Sequence, residues 1–162
     1  MGESFESAGP HAFLQEFIDE HGFLSFLDME VIDLDAGELR LRVPFHQNLT
    51  NEGAPNGTVH GGIASTLIDT AGAMCVLSSL DAPLDSSVAT IDLNVSYLRP
   101  ASGDLVATAT RVRTGETVGV ARVTVESEIP DGTVEAVAVG RGSFRIFRPE
   151  TAREEPNRNS HS

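Results

Sequence analysis

The chain has 162 residues, a single cysteine and a formal net charge of -13. A surface this acidic repels phosphate backbones, so we expect no nucleic-acid partner. One cysteine, Cys75, cannot form an intramolecular disulfide or a cysteine metal cage. No run of about 20 apolar residues is present, and the N-terminus MGESFESAGP lacks a basic start followed by an apolar stretch. We therefore expect a cytoplasmic protein with no membrane partner and no secretory signal.

The charge has a second unusual property, because all 11 basic residues are arginine. One explanation for the acidity is a patch that binds a partner, but the carboxylates are spread along the chain. The other is adaptation to high salt, where an acidic surface without lysine stays hydrated and screening removes its self-repulsion. The even spread favours the second explanation, the acidic proteome of a halophile.

The first third of the chain predicts one helix and two short strands. Apolar residues at helical spacing predict a helix over residues 11–21, with Gly22 as its C-terminal stop. Residues 28–34 predict a strand, and apolar and charged residues alternate over 38–43 as in a half-buried strand. A polar loop rich in Asn, Gly and Pro follows over residues 45–58.

The rest of the chain predicts a long helix and four strands. Residues 61–80, GGIASTLIDTAGAMCVLSSL, are apolar or small almost all round, as in a helix buried on most of its surface. Short connections predict that the four strands after it are antiparallel neighbours. These strands are predicted near 87–98, 104–114, 117–129 and 134–147. The result is an α+β fold in a single domain over residues 1–148, followed by a polar tail, 149–162, that we expect to be disordered.

Asp69 is the only Asp, Glu, Lys, Arg or His between His60 and Asp81. It lies about two turns inside the predicted helix, too far from the N-terminus to cap it or to interact with its dipole. An unpaired charge in an apolar helix is costly, so this carboxylate must be paired, protonated or facing a cavity. The alternative is an aspartate on the one wet stripe of the helix, and the helical pattern alone does not decide between them.

The residues Thr58-Val59-His60-Gly61-Gly62 lead directly into this helix. Paired glycines let a ligand approach the backbone, and a helix N-terminus offers unpaired N–H groups to an anion or an oxyanion. An ordinary tight turn is the alternative. Asp69 lies about 12 Å from Gly61 along the helix axis. If both act on one carbonyl group, they must come from different subunits.

Two linked motifs carry a family resemblance. The stretch NGTVHGGIASTLIDTAGA, followed by TIDLNVSYLRPA, resembles hotdog-fold acyl-CoA thioesterases of the PaaI-like, phenylacetate-degradation type. The resemblance covers residues 49–147. It implies an antiparallel curved sheet wrapped around a long central helix. It also implies hydrolysis of an acyl-CoA to a free carboxylic acid and coenzyme A, with no metal and no cofactor.

The resemblance implies a role for each matched position. Asp69 matches the general base or nucleophile, and the Gly61 N–H matches the donor that polarises the thioester carbonyl in the opposite subunit's site. His60 matches the histidine of the catalytic set that shapes the Gly61 loop and contacts the substrate, and Gly62 is a substrate-binding position. Thr90 matches the residue that orients the attacking water. The resemblance also implies a homodimer or homotetramer with its sites at a subunit interface.

Other substrate contacts are less closely matched. Family members have an Asn or Gln about six residues before the histidine that helps to hold the thioester oxygen, but here Ala54 occupies that place. The first candidate for this role is therefore Asn51, and the second is Asn56. Arg99 can pair with a coenzyme A phosphate, or it is a solvated arginine at a strand end. Further candidates for the phosphates are Arg113, Arg122 and Arg141.

The position of Thr90 sets a condition on its role. Alternation along its strand places a set of apolar residues on one face and Thr90 on the other, with Asp92 and Asn94. The apolar set is Ala89, Ile91, Leu93, Val95 and Tyr97. The polar face is either solvent or a subunit interface, and only an interface suits catalysis.

Two other functions remain open. One is a non-catalytic hotdog protein that binds or senses acyl-CoA, and the other is a hydratase or dehydratase, whose flanking motifs are not found. Cys75 is interpreted as a small core residue, since no base accompanies it on the helix. Three histidines without metal-ligand spacing are interpreted as incidental, namely His11, His21 and His46.

We predict that the protein is more stable in molar KCl than in salt-free buffer, because screening relieves repulsion among its carboxylates. The measurement is the thermal-unfolding midpoint over a KCl series at fixed pH. Folding that is best without salt and weakens in molar KCl would contradict the high-salt adaptation.

Overall fold

The computed structural model describes residues 5–53 and 57–150 of the chain. Within them, six strands form one antiparallel sheet, and a long helix, α3 (Gly61–Ser78), packs against five of them. The strands are β1 (Glu30–Asp35), β2 (Glu38–Val43), β3 (Ser87–Tyr97), β4 (Leu105–Thr114), β5 (Val118–Glu128) and β6 (Val134–Phe147). Their order in the sheet is β1-β2-β4-β5-β6-β3, so β3 is an edge strand. A curved sheet around one helix is the arrangement that the resemblance implies.

Two helices precede the sheet. The first, α1 (Phe5–Glu20), is broken at Gly9, whose φ of 79° is not helical. The uninterrupted helix therefore starts at Pro10, because proline is tolerated in a first turn. The predicted stop at Gly22 is wrong, since Gly22 begins a second short helix, α2 (Gly22–Phe26), directly after α1.

The sequence predicts that each of the last four strands pairs with the next one along the chain. This is correct for two of the three such pairs. β4 pairs with β5 and β5 with β6, but β3 pairs with β6, and β4 pairs with β2. The segment after β3 is therefore a crossover and not a hairpin turn. Its backbone is held as it crosses, because the Leu98 N–H donates to the Val137 carbonyl oxygen at 2.8 Å and the Ser102 N–H donates to that of Glu128 at 2.8 Å.

The predicted loop over residues 45–58 is fastened at its start by one carboxylate. Asp104 accepts hydrogen bonds from the Phe45 N–H at 2.7 Å and from Arg42 Nη2 at 2.7 Å. The backbone hydrogen bond from Phe45, with the adjacent guanidinium, lowers the pKa of Asp104. At its other end the loop is tied by the Val59 N–H, which donates to the Ala101 carbonyl oxygen at 2.8 Å. Residues 54–56, and the predicted tail beyond residue 150, lie outside the described residues.

Helix α3 lies close to the sheet because β5 and β6 present glycines to it. A Cβ atom on Gly140 would lie 2.6 Å from the Asn94 carbonyl oxygen and 2.8 Å from Ile68 Cγ2. A Cβ atom on Gly119 would overlap Val76 of the helix. By length and composition α3 could span a membrane, with a mean hydropathy of 1.3, but strands β2–β6 pack against it. Its apolar character is thus accounted for by core packing.

We predict that Gly140→Ala lowers the free energy of unfolding by about 1–3 kcal/mol, the usual cost of overpacking, because its Cβ would meet a backbone oxygen that cannot yield. The matched control is Gly22→Ala, where a Cβ meets nothing within 4 Å. Denaturant unfolding at equal protein concentration measures both. A Gly140→Ala protein as stable as the parent would contradict the proposed close packing.

Candidate active site

Three residues of α3 form a ridge that faces the edge strand β3. Gly61, Ser65 and Asp69 follow one another at four-residue intervals and so lie on one face of the helix. Tyr97 of β3 packs on the first two: its hydroxyl group hydrogen-bonds Ser65 Oγ, and its Cε1 atom lies 3.0 Å from where a Cβ of Gly61 would be. Thr90 of β3 meets the third, because its Oγ1 donates to Asp69 Oδ1 at 2.6 Å.

A β-bulge in β3 explains how Thr90 reaches the helix. Thr90 pairs with Phe144 of β6, but Asp92 pairs with the adjacent Ser143, so Ile91 is an extra residue. One extra residue reverses the alternation of side chains along a strand. The sequence predicts that Thr90 lies on the opposite face of the strand from the apolar residues. This is wrong for the apolar residues that follow the bulge. Thr90 shares the inward face with Leu93, Val95 and Tyr97.

The Asp69 carboxylate is half-buried and lines a cavity of about 550 Å³. Its hydrogen bond from Thr90 supplies a neutral partner, and no ion pair to it exists among the described residues. Most of the cavity wall is apolar. The apolar lining residues are Phe17, Phe23, Leu24, Ala73, Met74, Leu77, Val88 and Leu93. Asp69 is thus both paired and facing a cavity, two of the three situations that the sequence requires.

The start of α3 lines a different cavity, of about 380 Å³. His60 caps the helix, because its Nδ1 accepts the Gly62 N–H at 2.9 Å, which occupies that N–H group. The Gly61 N–H has no acceptor within the described part of the chain and remains open to a ligand oxygen. Asn51 and Arg99 line this same cavity. Arg99 is exposed, but its Nη1 donates to the Ala136 carbonyl oxygen at 3.0 Å.

The chain therefore brings its predicted site residues together in two groups. Gly61, His60, Asn51 and Arg99 share one cavity, and Asp69 lines the other. Asn56 lies outside the described residues.

Ser65 and Tyr97 were missed by the sequence reasoning, although they lie between the two groups. Ser65 lines the Asp69 cavity, and Tyr97 lines the cavity at Gly61. The four-residue spacing from Gly61 to Ser65 to Asp69 was the available signal for Ser65. Tyr97 is the only tyrosine in the chain, but only the pairing of its strand shows that it reaches the helix.

The remaining candidates lie apart from both cavities, except for His21, which lines the Asp69 cavity. Cys75 is buried, and desolvation raises the pKa of its thiol to about 11, as suits a core residue. Arg122 of β5 pairs with Arg141 of β6, and both residues are exposed on the outer face of the sheet. The interpretation of His21 as incidental is wrong: its Nδ1 accepts the Leu24 N–H at 3.4 Å, and the residue lines the Asp69 cavity. No cluster of metal-ligating side chains occurs over residues 5–53 and 57–150.

Comparisons with known proteins identify the family. A model described as the thioesterase superfamily matches residues 56–133. A Halobacterium salinarum protein, provisionally named an esterase, is 55% identical over 148 residues, which are 90% of this chain and 98% of that protein. The chain belongs to the thioesterase superfamily. It is therefore a thioester hydrolase.

Two further similar proteins are informative. An Escherichia coli protein, the medium/long-chain acyl-CoA thioesterase YigI, is 38% identical over 82 residues, covering 43% of this chain and 53% of that protein. The crystal structure of a thioesterase family protein from Silicibacter pomeroyi superposes with a TM-score of 0.77 at 24% identity, over 87% of this chain and 100% of that one. The superposition confirms the predicted hotdog fold.

Proposed function

We propose that this thioesterase hydrolyses acyl-CoA to a free carboxylic acid and coenzyme A, with Asp69 as general base or nucleophile. The observation that carries the proposal is the position of Asp69 at an apolar cavity, with one carboxylate oxygen fixed by Thr90 at 2.6 Å. The apolar wall suits an acyl group. An acidic residue beside that wall suits attack on the group's carbonyl carbon.

In the general-base route, Asp69 takes a proton from a water molecule while the water oxygen attacks the thioester carbon. The C–S bond then breaks, and the sulfur of coenzyme A leaves and takes up a proton. Because Thr90 donates to Oδ1, its own oxygen can still accept a hydrogen bond from the attacking water. In the nucleophilic route an oxygen of Asp69 attacks the carbonyl carbon, the C–S bond breaks and coenzyme A leaves as the thiolate; water then cleaves the resulting anhydride to the free carboxylic acid and the Asp69 carboxylate. Negative charge on the carbonyl oxygen is stabilised in both routes by the Gly61 N–H.

The oxyanion donor is proposed to come from a second subunit. Asp69 and Gly61 of one protomer line different cavities and lie about 12 Å apart along α3. The edge strand β3 carries the partners of both, Thr90 and Tyr97, near its two ends. If two β3 strands pair antiparallel about a two-fold axis midway between Thr90 and Tyr97, Thr90 of one protomer lies opposite Tyr97 of its partner, and Asp69 is carried towards the other Gly61. Over residues 5–53 and 57–150 no further strand pairs with the outer edge of this 11-residue strand, which favours such pairing.

The coenzyme A portion is proposed to enter through the cavity at Gly61. Arg99 is exposed there and offers a guanidinium group to a phosphate, and Asn51 offers an amide group to the thioester oxygen. Asn56 remains the second candidate for the amide role. The similarity to YigI, a protein named for acyl-CoA, supports this class of substrate.

We further propose a cytoplasmic homodimer or homotetramer that works at high salt.

We predict that Asp69→Asn lowers kcat for acyl-CoA hydrolysis by about 10²–10⁴-fold, because the amide can neither accept the proton nor attack the carbonyl carbon. Release of the coenzyme A thiol over a series of acyl-CoA substrates in high-salt buffer measures this. The matched control is Asp92→Asn, on the outward face of the same edge strand. Full activity in Asp69→Asn would refute the mechanism. Tight acyl-CoA binding by the wild-type protein without thiol release would favour a non-catalytic binding protein.

A shared site also predicts rescue between two inactive subunits. Gly61→Val adds a branched side chain where a Cβ alone would lie 3.0 Å from the Tyr97 ring. A heterodimer of this variant with Asp69→Asn contains one doubly altered site and one intact site. Co-expression with different tags should restore about a quarter of wild-type activity if subunits assort at random. Isolated heterodimers without activity would contradict the shared site, and co-expression of two differently tagged Asp69→Asn chains is the control.

A further inference from the structure

The Asp69 cavity has a far wall that does not belong to the sheet. Phe17 of α1 and Phe23 and Leu24 of α2 line it, opposite α3. His21 connects these two helices: its Nδ1 accepts the Leu24 N–H, and its ring lies 6.0 Å from the Phe17 ring between centroids. His21 thus connects α1 and α2, and together these helices line one side of the cavity with the rings of Phe17 and Phe23.

The floor of the same cavity is a straight row along α3. Asp69, Ala73 and Leu77 lie at four-residue intervals, with Met74 beside them. From Asp69 to Leu77 this row extends about 12 Å by helix rise. Asp69 and His21 are the titratable side chains that line the cavity, so beyond the carboxylate the row is apolar.

We propose that this cavity takes a straight, medium-chain fatty acyl group, and that Phe17 and Phe23 determine the acyl specificity. This rests on the proposed function, because it assigns the acyl portion of the same substrate. Carbon–carbon bonds of about 1.5 Å meeting at tetrahedral angles advance an extended chain a little over 1 Å per carbon. A span of about 12 Å therefore accommodates about nine or ten carbons. A single aromatic ring, as in a phenylacetyl group, would leave the apolar row beyond Ala73 uncovered.

The exposure of the two rings supports a role in specificity. Phe17 is 48% exposed and Phe23 is 51% exposed, so neither ring is a core residue of the protomer. Both line the cavity, where an acyl chain would remove their apolar surface from water. Phe26, on the same short helix as Phe23, is 73% exposed and does not line the cavity. It provides a control of the same residue type.

The test is the dependence of kcat/KM on acyl length, from acetyl-CoA to hexadecanoyl-CoA, with phenylacetyl-CoA as the aromatic probe. Each methylene buried along the row raises kcat/KM about fourfold, so we expect a rise to an optimum near decanoyl-CoA. Phe17→Ala and Phe23→Ala should lower kcat/KM for decanoyl-CoA about tenfold and lower it less for butanoyl-CoA, whereas Phe26→Ala should change neither. Ala73→Leu should shift the optimum to shorter chains, because its side chain fills the middle of the row.

The outcomes separate the two proposals. If the wild-type protein hydrolyses none of these thioesters, the proposed function fails. If it hydrolyses them with no preference for length, or prefers phenylacetyl-CoA, the function stands and the acyl assignment is overturned. An equal loss for all substrates in Phe17→Ala and Phe23→Ala, with a changed mass by light scattering, would mean that the rings are a subunit contact and would also overturn it.

Discussion

The close packing of α3 on β5 and β6 is the constraint on which the rest of the structure depends. It is possible because glycine occupies inward positions such as Gly119 and Gly140, where a Cβ would overlap the helix or a neighbouring strand. With that side of the helix against the sheet, the ridge of Gly61, Ser65 and Asp69 faces the edge strand. The candidate site is therefore located at the edge of the sheet, where the proposed second subunit would complete it.

The Asp69 carboxylate shows how an apolar helix tolerates a charge. The Thr90 hydroxyl group supplies one hydrogen bond, and the cavity allows water or substrate to reach the other oxygen. This neutral donor fixes the orientation of the carboxylate without placing a second charge beside it. The contact connects the packing of the fold to the proposed reaction.

The parts of the fold that depend on local pattern were predictable from the sequence. The alternation of β2 and the apolar run of α3 indicate their structure directly, because each reflects the contacts of its own segment. The order of strands was not predictable in full. Short connections suggest that neighbours in sequence pair, and nothing in the segment after β3 indicates that it crosses to β4. The bulge at Ile91 was also not predictable, because an apolar residue at that position fits a regular strand without a bulge equally well.

The same distinction holds for the candidate site. Asp69 and the His60-Gly61-Gly62 motif could be chosen as candidates from the sequence because they are unusual there and carry the family resemblance. Tyr97 and Ser65 were not found, because the contact joins residues 32 positions apart and requires the strand to be placed against the helix. The division of the site between two cavities follows from helix rise, but the apolar wall built by α1 and α2 depends on tertiary packing alone.

The hydrogen bond between His60 and Gly62 has a consequence for the tautomer of the imidazole. Because Nδ1 accepts, the proton of the neutral ring resides on Nε2, and the exposed edge of His60 presents a donor. The start of α3 then offers a ligand two uncharged donors, this Nε2–H and the Gly61 N–H. Attraction between full charges weakens as mobile ions accumulate, whereas short hydrogen bonds from neutral groups lose little. The recognition of a carbonyl oxygen that we propose for these neutral donors would therefore persist in concentrated salt.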